Sequence, residues 1–194
     1  MNIFDKFLGN EVFFRKAELS IVETFVSFLF SKKIKKGECI LREGDVNNKI
    51  FYIQSGFFRV FKTDEGKEVN TWFVKEGDFI MSVNSFHKEI PSIETIEALE
   101  DGEVLSIRKE LYYKLIRSNH KLALFAINEL MQNLCEYQTQ CNFLRHMSAE
   151  DRYLYLTKTH SNILDRISQK HLASFLGVEI TYLNKIIKNC TNPQ

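Results

Sequence analysis

The chain has 194 residues, 44% of them hydrophobic, and a formal net charge of +1, which suits one large domain or two small ones and excludes a bulk polyelectrolyte role. Its start, MNIFDKFLGNEVFF, lacks the basic, apolar and small-residue regions of a signal peptide, and no apolar run approaches the ~18 residues of a membrane span. Cys39, Cys135, Cys141 and Cys190 are scattered without a CxxC pair, which fits free or buried thiols in a reducing cytoplasm and argues against an iron–sulfur or zinc centre.

Residues 1–31 read as a short helical entry. Within it Glu18–Phe30 is too apolar all round to stand alone and should pack against the next part of the chain. Ser31–Lys36 (SKKIKK) reads as a basic, solvated turn. From Gly37 to Ile107 the texture becomes strand-like. Glycines at 37, 44, 56, 66 and 77 separate short β-rich runs at Cys39–Arg42, Ile50–Gln54, Phe57–Thr63, Glu68–Phe73, Ile93–Leu99 and Val104–Arg108. Such spacing indicates a sandwich or barrel. Asp64-Glu65-Gly66-Lys67 is a hairpin turn with Gly66 placed for positive φ. The weak alternation of FFRVF points Arg59 outward.

Leu122–Leu144 predicts a long helix without Gly or Pro. Ile127, Leu130, Leu134, Tyr137, Cys141 and Leu144 follow one another at steps of 3, 4, 3, 4 and 3, a heptad seam. Such a helix either pairs with its copy or packs within its own domain. Its place between a strand-like half and a helical half favours pairing. Next, Ser148 caps a helix over Ala149–Thr159, with Glu150 and Asp151 in its first turn. Ser161–Arg166 is a short connection. Ser168 caps Gln169–Leu176, Gly177 breaks the helix, and Glu179–Lys188 resumes it.

The segment SQKHLASFLGVEITYLNKIIK has what two helices crossing at a tight turn need. It offers small Ala173, turn-tolerant Gly177 and apolar anchors at Leu172, Leu176, Val178, Leu183 and Ile186. The second helix then shows Ile180, Thr181, Asn184, Lys185 and Lys188 outward. Arg166, Lys170, Lys185 and Lys188 stand against a single acid, Glu179, between 166 and 190. The two readings are a plain helical hairpin and a DNA-reading helix-turn-helix.

Several further motifs resolve that choice: Glu43-Gly44-Asp45, Tyr52-Ile53, Gly56, Asp64-Glu65-Gly66-Lys67-Glu68, Gly77-Asp78-Phe79-Ile80, Ala98-Leu99-Glu100-Asp101 and Leu172-Ala173-x-x-Leu176-Gly177. With the long helix, they resemble in kind and order the Crp/Fnr family of bacterial transcription regulators, over about Ile40 to Lys188. The resemblance implies an α+β fold. Residues 1–118 would form a double-stranded, jelly-roll-like β-roll sensor domain of cyclic-nucleotide-binding type, 119–146 a dimerisation helix, and 147–194 a helix-turn-helix domain. It implies double-stranded DNA with a near-palindromic operator, a second copy of the chain and RNA polymerase as partners, and a cytoplasmic location.

The family's ligand cassette departs from pattern here. After Gly-Asp-Phe-Ile, nucleotide-binding relatives run Gly-Glu-Leu and then Arg-Ser. A carboxylate accepts from the ribose, while guanidinium and helix N-terminus hold the phosphate. In this chain those places hold Met81, Ser82, Ser92 and Ile93. Eight acids and one lysine lie between Glu76 and Glu103, a poor lining for an anion. The long-helix places that meet adenine hold Tyr137 and Gln138. The expectation is that cyclic AMP binding is lost and no cofactor is needed. Hydroxyl and amide groups on Ser82, Asn84, Ser85 and Ser92 leave room for a neutral ligand.

In the reading helix, the family's Arg, Glu and Arg are replaced by Ile180, Thr181 and Lys185. Asn184 then suits adenine, and Thr181 or Ile180 a thymine methyl, so the operator should be richer in A·T. No β-wing sequence follows Lys188, which places the phosphate contacts on Lys170, Lys185, Lys188 and Arg166. His87 reads as a loop histidine, no His-x-His metal pair exists, and no serine has a nucleophile-elbow setting. An enzyme is not expected. The alternative is a ligand-responsive regulatory module that acts through a protein partner.

Overall fold

A computed structural model describes residues 27–159 and 161–191. The predicted helical entry therefore lies outside the described residues except for its end, where Phe30 already opens a strand. The strands are β1 (Phe30–Ile34), β2 (Cys39–Leu41), β3 (Lys49–Ser55), β4 (Phe58–Asp64), β5 (Lys67–Val74), β6 (Phe79–Ile80), β7 (Thr95–Ala98) and β8 (Gly102–Arg108). A short helix, α1 (Val83–Lys88), interrupts them. Then come α2 (Lys109–Ser118), α3 (His120–His146), α4 (Ala149–Thr159), α5 (Ser161–Leu164), α6 (Gln169–Leu176) and α7 (Ile180–Thr191).

The strands form two sheets, ordered β1-β8-β3-β6 and β2-β7-β4-β5. Ile34, Phe51, Ile53 and Val104 from the first sheet meet Leu41, Phe58, Val60, Ile96 and Ala98 from the second in one core. The opposite face of the first sheet carries Ile50, Tyr52, Leu105 and Ile107. These pack on Phe86, Leu115 and Leu122. Strand alternation puts neighbouring residues into different cores, which is why β3 and β8 each have four consecutive buried residues at their centres. The expected β-roll is present.

Three readings are corrected. Ser31–Lys36 is not a solvated turn: Ser31 to Ile34 belong to β1, in antiparallel register with β8 from Phe30↔Ser106 to Ile34↔Gly102. Ile34 is 1% exposed, while Ser31 donates to Glu103 and Lys35 pairs with Asp101. The partner strand lies about seventy residues away, so the basic run alone did not betray a strand. Arg59 leaves the inner core as its alternation requires, yet it is 5% exposed. Its guanidinium bonds Glu97, directly opposite on β7, and lies 4.0 Å over the Phe61 ring. Finally, the Ser161–Arg166 connection contains the helical turn α5.

The hairpin turn behaves as its sequence demands, with Glu65 at φ 49° and Gly66 at φ 78°, the two positive values a tight primed turn needs. The chain divides into two compact units. One is 1–62 with 72–130; the other is 63–71 with 131–194, so the division falls within α3.

Candidate functional site

In the second unit, α4, α6 and α7 surround a core of Phe143, Leu172, Ala173, Leu176 and Leu183. Local sequence sets each boundary. Ser148 Oγ accepts from the Asp151 N–H at 3.1 Å and donates to its carboxylate, an N-cap with an acid in the first turn. Ser168 Oγ accepts from the His171 N–H at 3.2 Å and starts α6. Gly177 ends it at φ 67°, and Val178 returns its N–H to Ala173 O at 3.0 Å, a left-handed cap that glycine takes without strain. Leu176 and Leu183 are fully buried and Ile186 nearly so. The apolar side of the two-helix motif is used up by its own core.

The opposite side of α7 is exposed. Thr181, Asn184, Lys185 and Lys188 recur at i, i+3, i+4 and i+7, one face of a helix. Ile180 is 41% exposed beside them, and Lys170 is exposed on α6. Tyr182, which sequence reasoning missed, is 49% exposed next to this face. Its exposure is not legible from composition, because an aromatic at helical spacing usually belongs to a core. Glu179, at the head of α7, is exposed as well.

Along α3, five of the six seam residues are large and exposed: Ile127 57%, Leu130 60%, Leu134 56%, Tyr137 62% and Leu144 47%. Cys141, the sixth, is half-buried. Leu124 and Met131 add a flanking row.

In the first unit the loop 81–93 is closed on itself. Asn47, 2% exposed, accepts the Ser82 N–H on Oδ1 at 2.8 Å, gives its own N–H to Ser85 Oγ at 2.8 Å, and donates from Nδ2 to Lys49 O at 2.7 Å. Ser85 Oγ donates to Ile90 O, and Ser92 Oγ bridges the Glu94 N–H and carbonyl. At the other end of α1, Glu89 caps the helix at φ 57°. Lys109 Nζ holds it there at 2.8 Å and reaches 5.4 Å over the Phe86 ring. That hydrogen bond, with the lysine charge, keeps the Glu89 carboxyl below its usual range.

Ser82, Ser85 and Ser92 are buried and bonded within the chain, while Val83, Asn84, His87, Lys88, Glu89, Ile90, Pro91 and Ile93 are exposed. Met81 is half-buried against the core of Tyr52 and Leu105. Tyr137 and Gln138 lie exposed in the other unit. A cavity of about 390 Å³ does open in the first unit, lined by Lys32, Cys39, Leu41, Asn47, Phe51 and Ser106 among others, and none of the eight predicted pocket residues lines it. Within the predicted pocket, the Ser85 and Ser92 hydroxyls bond backbone of their own loop. Burial pushes the Cys39 thiol up, keeping it protonated and a poor nucleophile. Asn47 and Lys109 were missed because their partners lie 35 and 20 residues away. Among the described residues no group of His, Cys, Asp and Glu is placed to hold a metal, and no helix is long and apolar enough to cross a membrane.

Two facing sheets, a long helix and a capped two-helix motif are the parts to compare with known proteins. Residues 31–119 match the family model of the cyclic nucleotide-binding domain. Among curated proteins, the chain is 26% identical to the anaerobic regulatory protein of Bacillus subtilis over 121 residues, 62% of this chain and 51% of that one. It is 24% identical over 173 residues to the cyclic AMP receptor protein of Thermus thermophilus, covering 86% of this chain and 79% of that one. Among solved structures, the global regulator CLP of Xanthomonas campestris, described as responsive to c-di-GMP, superposes with a TM-score of 0.71 at 16% identity, over 90% of this chain and 92% of that one. At that identity the likeness speaks for the fold. The chain spans about half the length of the Bacillus relative. Domain match, relatives and fold agree with the motifs: the chain carries a cyclic nucleotide-binding domain over residues 31–119 and is similar, in sequence and fold, to Crp/Fnr-family regulators.

Proposed function

We propose that the chain is a sequence-specific DNA-binding transcription regulator, dimeric through α3, that works without a cyclic nucleotide and catalyses no reaction. The observation that carries this reading is the exposed face of α7, Thr181, Asn184, Lys185 and Lys188, on a two-helix motif whose apolar side is already buried. A groove-reading helix needs that division. Lysines anchor phosphates, while Asn184 has the paired donor and acceptor that match adenine. Dimerisation through the seam of α3 would set two such helices about 34 Å apart, one turn of DNA. The dimer's partner would be a near-palindromic operator, and the transcription machinery would include RNA polymerase.

The test is DNA retardation after selection of fragments from genomic DNA. Lys185→Ala with Lys188→Ala should weaken binding across all sequences and lower the salt slope by about 2. Asn184→Ala should relax the preference at one base pair and cost about 1–3 kcal/mol there. A second reading, a module acting through a protein partner, is favoured by Glu179, an exposed carboxylate at the head of the reading helix. A wild-type protein that enriches no DNA fragment decides for it.

A further inference from the structure

The second unit contains a segment remote in sequence from the rest of it: 63–71, the tip of the β4–β5 hairpin. Its strand reads Val69-Asn70-Thr71-Trp72, a run of strand formers broken by one amide. Asn70 is 4% exposed. A buried amide of that kind requires partners for its donors and acceptors, and it finds them on α6. The Asn70 backbone N–H donates to Ser174 Oγ at 3.0 Å, and its Nδ2 donates to His171 O at 3.1 Å, with His171 Nδ1 at 3.4 Å. Ser174 Oγ returns a hydrogen bond to Glu68 O at 3.0 Å. One residue further along, Thr71 O accepts from Gln140 Nε2 of α3 at 2.8 Å.

These bonds join three elements. Ser174 is at once donor and acceptor to the same strand edge, so α6 is held in register along it and not merely touched. The groups involved, His171 and Ser174, lie on the first helix of the two-helix motif. The Thr181, Asn184, Lys185 and Lys188 face of α7 stays exposed while they are engaged.

We propose that the β4–β5 hairpin tip is a latch on the first helix of the helix-turn-helix, with Asn70 as its bolt, and that the latched form is the one competent to read DNA. The latch orders α6 before DNA arrives, so less conformational freedom is lost on binding. Because it leaves the reading face open, it does not compete with DNA. The affinity part of this inference rests on the DNA-binding function proposed above; the latch itself does not.

The experiment is amide hydrogen exchange on the full chain, read together with DNA affinity, for wild type, Asn70→Ala and Ser174→Ala. Loss of Asn70 should speed exchange of the amides of 169–176 by about fivefold or more and weaken DNA binding by about two- to fivefold, with a smaller effect for Ser174→Ala. Unchanged exchange in both variants overturns the latch. Faster exchange with tighter DNA binding overturns its direction and makes the hairpin a restraint. If Asn70→Ala does not fold, Ser174→Ala and Gln140→Ala carry the same comparison, since each leaves the buried amide in place. If wild type binds no DNA, the proposed function falls and the exchange result still decides the latch.

Discussion

Gly56 and Gly102 meet back to back where β8 begins. A Cβ on Gly102 would stand 2.2 Å from Ser55 O, and one on Gly56 would stand 3.0 Å from the Gly102 Cα. Both obstacles are backbone, which no rotamer change relieves. Gly102→Ala should therefore cost about 3 kcal/mol, the upper end for overpacking. At Gly66, where a Cβ meets open space and only the positive φ of 78° opposes it, alanine should cost about 1–2 kcal/mol. Urea midpoints of the two variants give the comparison, and equal losses would refute the steric account. Arg59 supports a second prediction at this scale. Arg59→Met leaves Glu97 without its guanidinium in a setting where its side chain is 21% exposed, and should cost about 2–3 kcal/mol. Arg59→Met with Glu97→Leu should recover most of that, because the pair's desolvation disappears along with its attraction. A double-mutant cycle in which the two losses simply add would mean that the pair is not coupled.

At the scale of elements, what the sequence made legible was local. Ser148, Ser168 and Gly177 each act within a few residues of themselves, and α4 and α6 begin and end where those caps place them. The hairpin turn at Glu65 and Gly66 is local too. The strand β1 and the bonds from Asn47 to Ser82 and from Asn70 to Ser174 join residues from 35 to 104 positions apart, and no window on the sequence contains both partners. Gly102 belongs with these: it stands out as a glycine only once Ser55 is beside it. The α3 seam is intermediate. Its heptad is legible, but the partner proposed for it is another copy of the chain, which no window on the sequence contains. That supports a prediction through Cys141, which occupies the seam, while Cys135 is exposed off it. In a parallel pair each Cys141 faces its copy, within the ~4.4–6.8 Å Cα separation of a disulfide. Mild oxidation should give a covalent dimer on a non-reducing gel, abolished by Cys141→Ser and retained by Cys135→Ser. Cross-linking through Cys135 alone would move the pairing face away from the seam.

For the whole molecule, the decisive question is whether the β-roll still answers to a cyclic nucleotide. A bound phosphate needs cationic or N–H partners to offset its desolvation. In loop 81–93, the Ser82 N–H is committed to Asn47, and the Ser85 and Ser92 hydroxyls are committed to backbone carbonyls. The nearby Lys109 already holds Glu89. Of the side chains left facing out, Val83, Ile90, Pro91 and Ile93 are apolar, Glu89 is acidic, and Asn84, His87 and Lys88 are the only other polar groups. Micromolar affinity corresponds to about −8 kcal/mol, and a solvent-exposed lysine such as Lys88, worth about 1 kcal/mol in an ion pair, is not expected to supply it. Titration calorimetry with cyclic AMP and cyclic GMP should show no saturable heat, and DNA retardation should be the same with and without either nucleotide. A ligand shifts a two-state equilibrium only by its differential affinity for the two states, so a regulator that binds neither nucleotide cannot be switched by them. Saturable heat would require the loop to open and give up the Asn47 bonds. In that case Asn47→Ala, which removes the competing acceptor, should tighten nucleotide binding, and its failure to do so would place the nucleotide elsewhere in the roll.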